Sequence, residues 1–414
     1  MSFDSVGSNV ARRGAAGTAL AAAALGLAAV PVHADDAGRS FDIYGFAQAD
    51  AIYDFQRVAP DWEDAFRPSK IANPEGEFGS NGQTSLSVKQ SRFGIKGTMP
   101  TAEGYDPITF KFEFDLFGVG ANAGQTTFRL RYAYGEWGQF LAGQTTSVFM
   151  DLDVFPNVID YWGPNGMVFW RNVQFRWTPY RTESSSFAVA IEQPSNDVDP
   201  GQIREYDPEL GNNIQGNEQV PNLTAHWRTK GDWGHVQVAA LLRDIGYDTK
   251  GTPNNKPKGS VTGWGVNLSG TINTWGKDKI LWQYVTGDGI ASYMNDGGVD
   301  IAPQGRFPTE TDPGNVRAKA VPLTGIVAYY DHYWSEQFST SLGYSTTYID
   351  NTNLQDPDSF RKGQYTSINL LYYPVTNVMV GGEVLWGDLE DKDGSKGSDT
   401  RVQFSVQYKW GKTF

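Results

Sequence analysis

The chain has 414 residues, 47 acidic against 34 basic, a formal charge of −13 and no cysteine. The missing cysteine excludes disulfide scaffolds, thiol chemistry and cysteine-based metal sites, and the acidic balance argues against a nucleic-acid partner. Aromatic residues make up 14% of the chain, with 13 Trp and 20 Tyr, while the mean hydropathy stays below zero. Transmembrane barrels combine these properties, because half of each strand faces water and aromatic rings form girdles at the two interfaces.

Arg12 and Arg13 precede an Ala- and Leu-rich run over 15–30, and Val32-His33-Ala34 offers small residues at cleavage spacing before Asp35 and Asp36. This predicts a secretory signal peptide over 1–34, since the run is too short for a membrane helix. One barrel domain over 35–414 is then expected. No later stretch approaches the ~18 apolar residues of a spanning helix.

Period-2 alternation between turn signals predicts sixteen strands, near 40–54, 83–99, 107–117, 125–135, 137–146, 169–179, 185–193, 219–230, 233–245, 261–274, 278–288, 320–333, 337–349, 363–373, 376–387 and 401–414. Connections alternate between short turns and long loops, the latter over 55–82, 147–168, 194–218, 246–260, 289–319 and 388–400. The fold class is therefore all-β: a transmembrane antiparallel barrel with long extracellular loops and short periplasmic turns. There is no blade repeat to suggest a propeller.

In the first strand Phe41, Ile43, Gly45, Ala47, Ala49, Ala51 and Tyr53 share the outer face, opposite Gln48 and Asp50. The small residues suit either a subunit interface or a local bend. In the third, Lys111, Glu113 and Asp115 face the lumen. Alternation also sends inward Arg92 and Lys96 (second strand), Arg129 and Arg131 (fourth), Arg176 (sixth), Arg228 (eighth), Arg243 (ninth), and Arg401 and Lys409 (last). Guanidinium forks match carboxylates, and a local excess of them would draw anions whatever the total charge. The opposing reading pairs each Arg with a lumenal acid such as Asp50, Glu113, Asp115, Glu192 or Glu383.

The loop after the fifth strand carries Met150, Asp151, Asp153, Phe155, Asp160 and Tyr161, and is unusually apolar for a long surface loop. Folded into the lumen it would narrow the path and set its aspartates opposite the arginines; laid outward it would cover a neighbouring subunit. The histidines past the leader, His226, His235 and His332, lack metal-ligand spacing, and no serine sits in a nucleophile elbow. No catalytic residue, cofactor or metal is expected. At the end of the chain Phe404, Val406, Tyr408, Trp410 and Phe414 fall on one face. The terminal Phe414 resembles the signal by which outer-membrane barrels are taken up by the barrel-assembly machinery.

Gln90-Ser91-Arg92-Phe93-Gly94-Ile95-Lys96-Gly97 resembles the second-strand signature of Gram-negative porins. The segment RLRYAYGEWGQFLAGQTTSVFMDLDVFPNVIDYWGPNG, over 129–166, and the opening DIYGFAQADAIYDF resemble the DcaP-like porin family. That resemblance implies a sixteen-strand trimeric outer-membrane porin with an inward third loop, embedded in lipid and passing small anions, notably dicarboxylic acids. It supports Arg129, Arg131 and the loop from Met150 to Tyr161 as pore elements. Arg176, Arg228 and Arg243 rest on alternation alone. The chain departs from some members in having only residues 35–39 where they carry a coiled-coil extension, so trimerisation would rest on the barrel wall. Three other readings remain open: a non-selective diffusion porin, a sugar channel using Tyr44, Tyr161, Trp162 and Trp170, and a barrel enzyme of the lipase type around His226 or His332.

Overall fold

The computed structural model describes residues 38–118 and 126–414; the leader expected over 1–34 lies outside the described residues. Sixteen strands form the wall: Ser40–Asp54, a second strand in two parts (Gln83–Ser87 and Arg92–Met99), Ile108–Gly118, Thr127–Trp137, Phe140–Thr146, Arg171–Arg181, Ser185–Glu192, Asn222–Gly231, Gly234–Thr249, Gly259–Asn273, Lys279–Asp288, Pro322–Tyr333, Phe338–Ile349, Phe360–Tyr372, Val378–Asp391 and Lys396–Thr413. Each pairs antiparallel with the next, and the first closes on the last through a ladder running from Asp42–Thr413 to Asp54–Arg401. Closure is what lets strands cross a membrane, because it removes the unpaired edge.

The second strand is broken between its two parts, where a single strand over 83–99 was expected. The break turns Gln90 inward, and its Nε2 donates to Asp50 Oδ2 at 3.1 Å and to the Ile159 carbonyl at 2.8 Å. The last loop is also shorter than expected. Its hairpin continues to a Glu390–Lys396 pair, whose side chains form an ion pair at 3.3 Å.

The outer face carries exposed rings, among them Trp137, Trp177, Trp233, Trp275 and Trp334 beside or near the short turns. The inner face is less polar than alternation suggests. Leu241, Leu281, Val285, Leu323, Val327 and Ile349 point inward and are buried. What covers them is loop. The third loop (residues 147–170) folds into the lumen, as expected, but so do parts of the first (55–82) and the sixth (289–321). Phe66 and Ile71 of the first, Phe149, Met150 and Met167 of the third, and Ile290 and Tyr293 of the sixth form one apolar cluster with those wall residues. Burying side chains of this size contributes roughly 1.5–3 kcal/mol each, which offsets the entropy of ordering three loops.

Gly166 shows how closely the third loop meets the wall: a Cβ there would sit 2.2 Å from the Thr346 carbonyl oxygen. The loops are also joined to one another. Asp296 of the sixth loop accepts from Arg67 Nη2 at 2.8 Å and from the Ser69 amide at 2.9 Å in the first. The Arg67 guanidinium lies 4.2 Å from the Trp62 ring centroid and 4.7 Å from that of Trp162. Asp296→Ala is therefore expected to leave a largely buried guanidinium unpaired, a loss of about 3 kcal/mol. Trypsin added to outer-membrane vesicles should then cut the variant after Lys70 and spare the parent; the Arg67–Pro68 bond resists trypsin in both.

Candidate functional site

The third loop is held across the lumen by wall side chains that receive its backbone. Glu192 accepts from the Val148 amide at 2.9 Å, and Asp331 accepts from the Asn157 amide at 3.2 Å. Glu383 accepts from the amides of Ile159 and Asp160 at 2.9 and 3.1 Å. Gln90 and Gln403 donate to the Ile159 carbonyl. A loop crossing a lumen has no ladder to satisfy its amides, so side chains must supply the partners.

Two cavities flank the loop. The outer one, about 360 Å³, is lined by Arg67, Arg129, Arg171, Trp162, Phe169, Trp170 and Asp197 among others. The inner one, about 490 Å³, is lined by Arg92, Lys111, Glu113, Arg131, Asp160 and Lys409 among others. Tyr161 and Phe169 line both. Between the cavities stands a compact ion-pair group. Asp115 accepts from Arg129 Nε and Nη2 at 3.0 and 2.7 Å, from Arg131 Nη1 at 2.9 Å and from the Tyr161 hydroxyl at 3.0 Å. Glu113 accepts from Arg131 Nε at 2.7 Å and from the Tyr44 hydroxyl at 2.8 Å. The Tyr161 ring stacks on Phe117 with centroids 3.7 Å apart.

The basic residues marked by alternation separate into three groups. Arg92, Arg129 and Arg131 come together at the cavities, with Lys111. Lys96 lies nearer the periplasmic end, 3.6 Å from Asp42. Arg176, Arg228, Arg243 and Arg401 are engaged elsewhere. Arg176 donates to Gln174 Oε1 and the Thr146 carbonyl, and Arg228 meets Asp151 and Asp153. Arg243 is buried and grips the sixth loop through the Gly289 carbonyl at 2.8 Å and Asp300 Oδ1 at 3.0 Å. Arg401 is fully buried on Asp54 at 2.6 Å.

The loop residues divide as well. Met150 is in the apolar cluster and Phe155 packs beside it. Asp151 is buried among Arg228, Ser269 and His235, with His235 Nε2 at 2.7 Å. Asp151, Asp153 and His235 thus bring possible ligand atoms within 4.8 Å of one another, and the Arg228 guanidinium supplies the positive charge beside them. Asp160 does not face an arginine in contact: it accepts from the amides of Phe66 at 3.0 Å and Gly163 at 2.9 Å. His226 bonds the Val148 carbonyl and His332 bonds Asp278.

Sequence reasoning missed Arg67 and Arg171. Alternation puts Arg171 on the outer face with Val173 and Phe175. However, the ladder between the fourth and fifth strands stops at Ala133–Gln144, and Arg171 sits above that point, in the outer cavity.

A family model described as DcaP outer membrane protein matches residues 20–410. The chain belongs to the DcaP outer membrane protein family. It is accordingly an outer-membrane β-barrel of the porin kind, a class of channels and not of enzymes. The outer membrane channel DcaP of Acinetobacter baumannii superposes with a TM-score of 0.74 at 20% identity, over 91% of this chain and 99% of that one. An anion-selective porin from Comamonas acidovorans gives 0.57 at 10% identity, over 90% and 100%. OmpT of Vibrio cholerae in its trimer form gives 0.53 at 11%, over 91% and 100%. No curated relative matches the chain in sequence.

In this DcaP-family barrel, burial pushes the Asp160 carboxyl up to about 6, against the nearby Arg401 charge and the amides that lower it. A raised carboxyl in the folded state binds a proton that the unfolded chain has released. Its contribution to stability is thus greatest below the ordinary aspartate value and falls as pH rises through about 6. Asp160→Asn is expected to flatten the dependence of thermal unfolding on pH in that window, read by tryptophan fluorescence in detergent.

Proposed function

We propose that the chain is a passive outer-membrane channel biased toward small organic anions, dicarboxylates among them. The observation that carries this reading is the lining of the two cavities, where seven basic side chains (Arg67, Arg92, Lys111, Arg129, Arg131, Arg171, Lys409) stand against three acidic ones (Glu113, Asp160, Asp197). Charge nearest the path governs the field within it, and low-dielectric walls focus that field. The third loop limits solute size, with Tyr161, which lines both cavities, between them. Solutes move down their gradient, and the reading needs no cofactor.

A homotrimer belongs to the same proposal. The exposed face of the first strand presents Ala47, Ala49 and Ala51, and small residues let two barrel walls approach. A cleaved leader over 1–34 and recognition of Phe414 by the assembly machinery complete it.

Reversal potential under a salt gradient in planar bilayers, followed by addition of succinate, tests the channel reading. Anion selectivity with succinate block is expected, and Arg131→Ala, which exposes the Glu113 charge, should move the reversal potential toward cation selectivity. Cation selectivity without block in the parent would refute the proposal and leave an ordinary diffusion pore. For the assembly, Ala49→Trp should convert an SDS-resistant oligomer band at low temperature into monomer without loss of folded barrel.

A further inference from the structure

We infer that the channel holds two carboxylate-binding subsites in series, one on Arg171 in the outer cavity and one on Arg92 in the inner cavity. A largely compensated bar formed by the Arg129–Arg131 ion-pair group separates them. The inference rests on the anion-channel reading and adds where a solute stops.

Most arginines facing the lumen are bonded: Arg67 to Asp296, Arg129 to Asp115, Arg131 to Glu113 and Asp115. Arg92 and Arg171 differ. Among the described residues neither meets a carboxylate or makes a hydrogen bond, and Arg92 Nε and Arg171 Nη1 are buried without a partner. A guanidinium withdrawn from bulk water and left unpaired is costly unless an anion or water completes it.

Both are placed alike. Arg92 Cζ lies 5.2 Å from the Phe46 ring centroid, and Arg171 Cζ lies 5.0 Å from that of Phe169. An aromatic ring beside the guanidinium restrains it while N–H donors remain for a planar partner. A carboxylate, with two oxygens in one plane, matches that edge. In the outer cavity Trp162 and Trp170 add apolar walls that suit a small organic body.

The group between the two arginines is largely compensated. Arg129, Arg131 and Lys111 contribute three positive charges, and Asp115 and Glu113 two negative ones. A solute passing Tyr161 therefore leaves one attractive position, crosses a compensated stretch and reaches the next. Two moderate sites in sequence permit faster release than one deep site, the arrangement that conduction requires.

The folded chain in planar bilayers, with succinate added from either side, provides the test through single-channel blocking. The parent should show two dwell-time components. Arg171→Gln should remove one of them and Arg92→Gln the other, while Arg171→Lys and Arg92→Lys retain both. Heat-modifiable gel migration confirms that each variant is folded. An anion-selective parent with a single component lost in both Gln variants overturns the serial arrangement and leaves the channel reading standing. Two components that survive both Gln variants overturn it as well. A cation-selective parent without block overturns both readings.

Discussion

The third loop stays inside the barrel because wall carboxylates receive its backbone amides. Glu192, Asp331 and Glu383 stand on the seventh, twelfth and fifteenth strands and take the amides of Val148, Asn157, Ile159 and Asp160. A buried amide without a partner costs about 1–3 kcal/mol, so losing this set would make the inward course unfavourable. The arrangement has an electrostatic consequence. Glu192 and Glu383 are lumenal acids, and their position makes them natural partners for lumenal arginines. Engaged with the loop, Ser147, Thr224 and Asn369 instead, they form no ion pair with the cations. The device that narrows the path also leaves part of its wall positive.

Three loops share the lumen, and the way they fill it places the open space. The apolar cluster packs against the inward faces of the ninth, eleventh, twelfth and later strands through Leu241, Val285, Leu323, Val327 and Leu385. The inner cavity lies on the other side, along Phe46, Gln48, Arg92, Lys111, Glu113 and Arg131. Solvent is thus displaced toward the first four strands, where the basic residues lie. The barrel does not behave as a uniform polar tube. One part of its circumference is a packed core, and another lines water.

The strand count and the inward third loop were legible because membrane and lumen impose opposite demands on neighbouring residues, which period 2 records. Alternation reports a face, however, and not what lies against it. Leu241 and Arg243 share a face on the ninth strand, yet one packs in the apolar cluster and the other clamps the sixth loop. Arg171 escaped notice because the rule assumes an unbroken ladder, and the wall above Ala133–Gln144 does not have one. The first and sixth loops escaped for another reason. Phe66, Ile71, Ile290 and Tyr293 are separated by polar and turn residues, so no local period marks them. Only the tertiary arrangement shows that the lumen can bury them.

A chain of formal charge −13 can still attract anions, because distance and dielectric decide which charges matter. Acids on the outer loops act through water, where screening limits their reach to ~8 Å at physiological ionic strength. Exposed groups such as Glu209 and Glu310, on the long loops, belong to this class. Arg92 and Arg171 line the cavities themselves, within contact range of a solute there. Of the acids within the same space, Asp160 is bound to loop amides, Asp115 and Glu113 share Arg129, Arg131 and Lys111, and Asp197 lines the outer cavity. What remains along the path is the uncompensated cation. Keeping it unpaired costs stability, and that cost falls on a closed sixteen-strand wall whose ladders hold the two residues in place without any local partner.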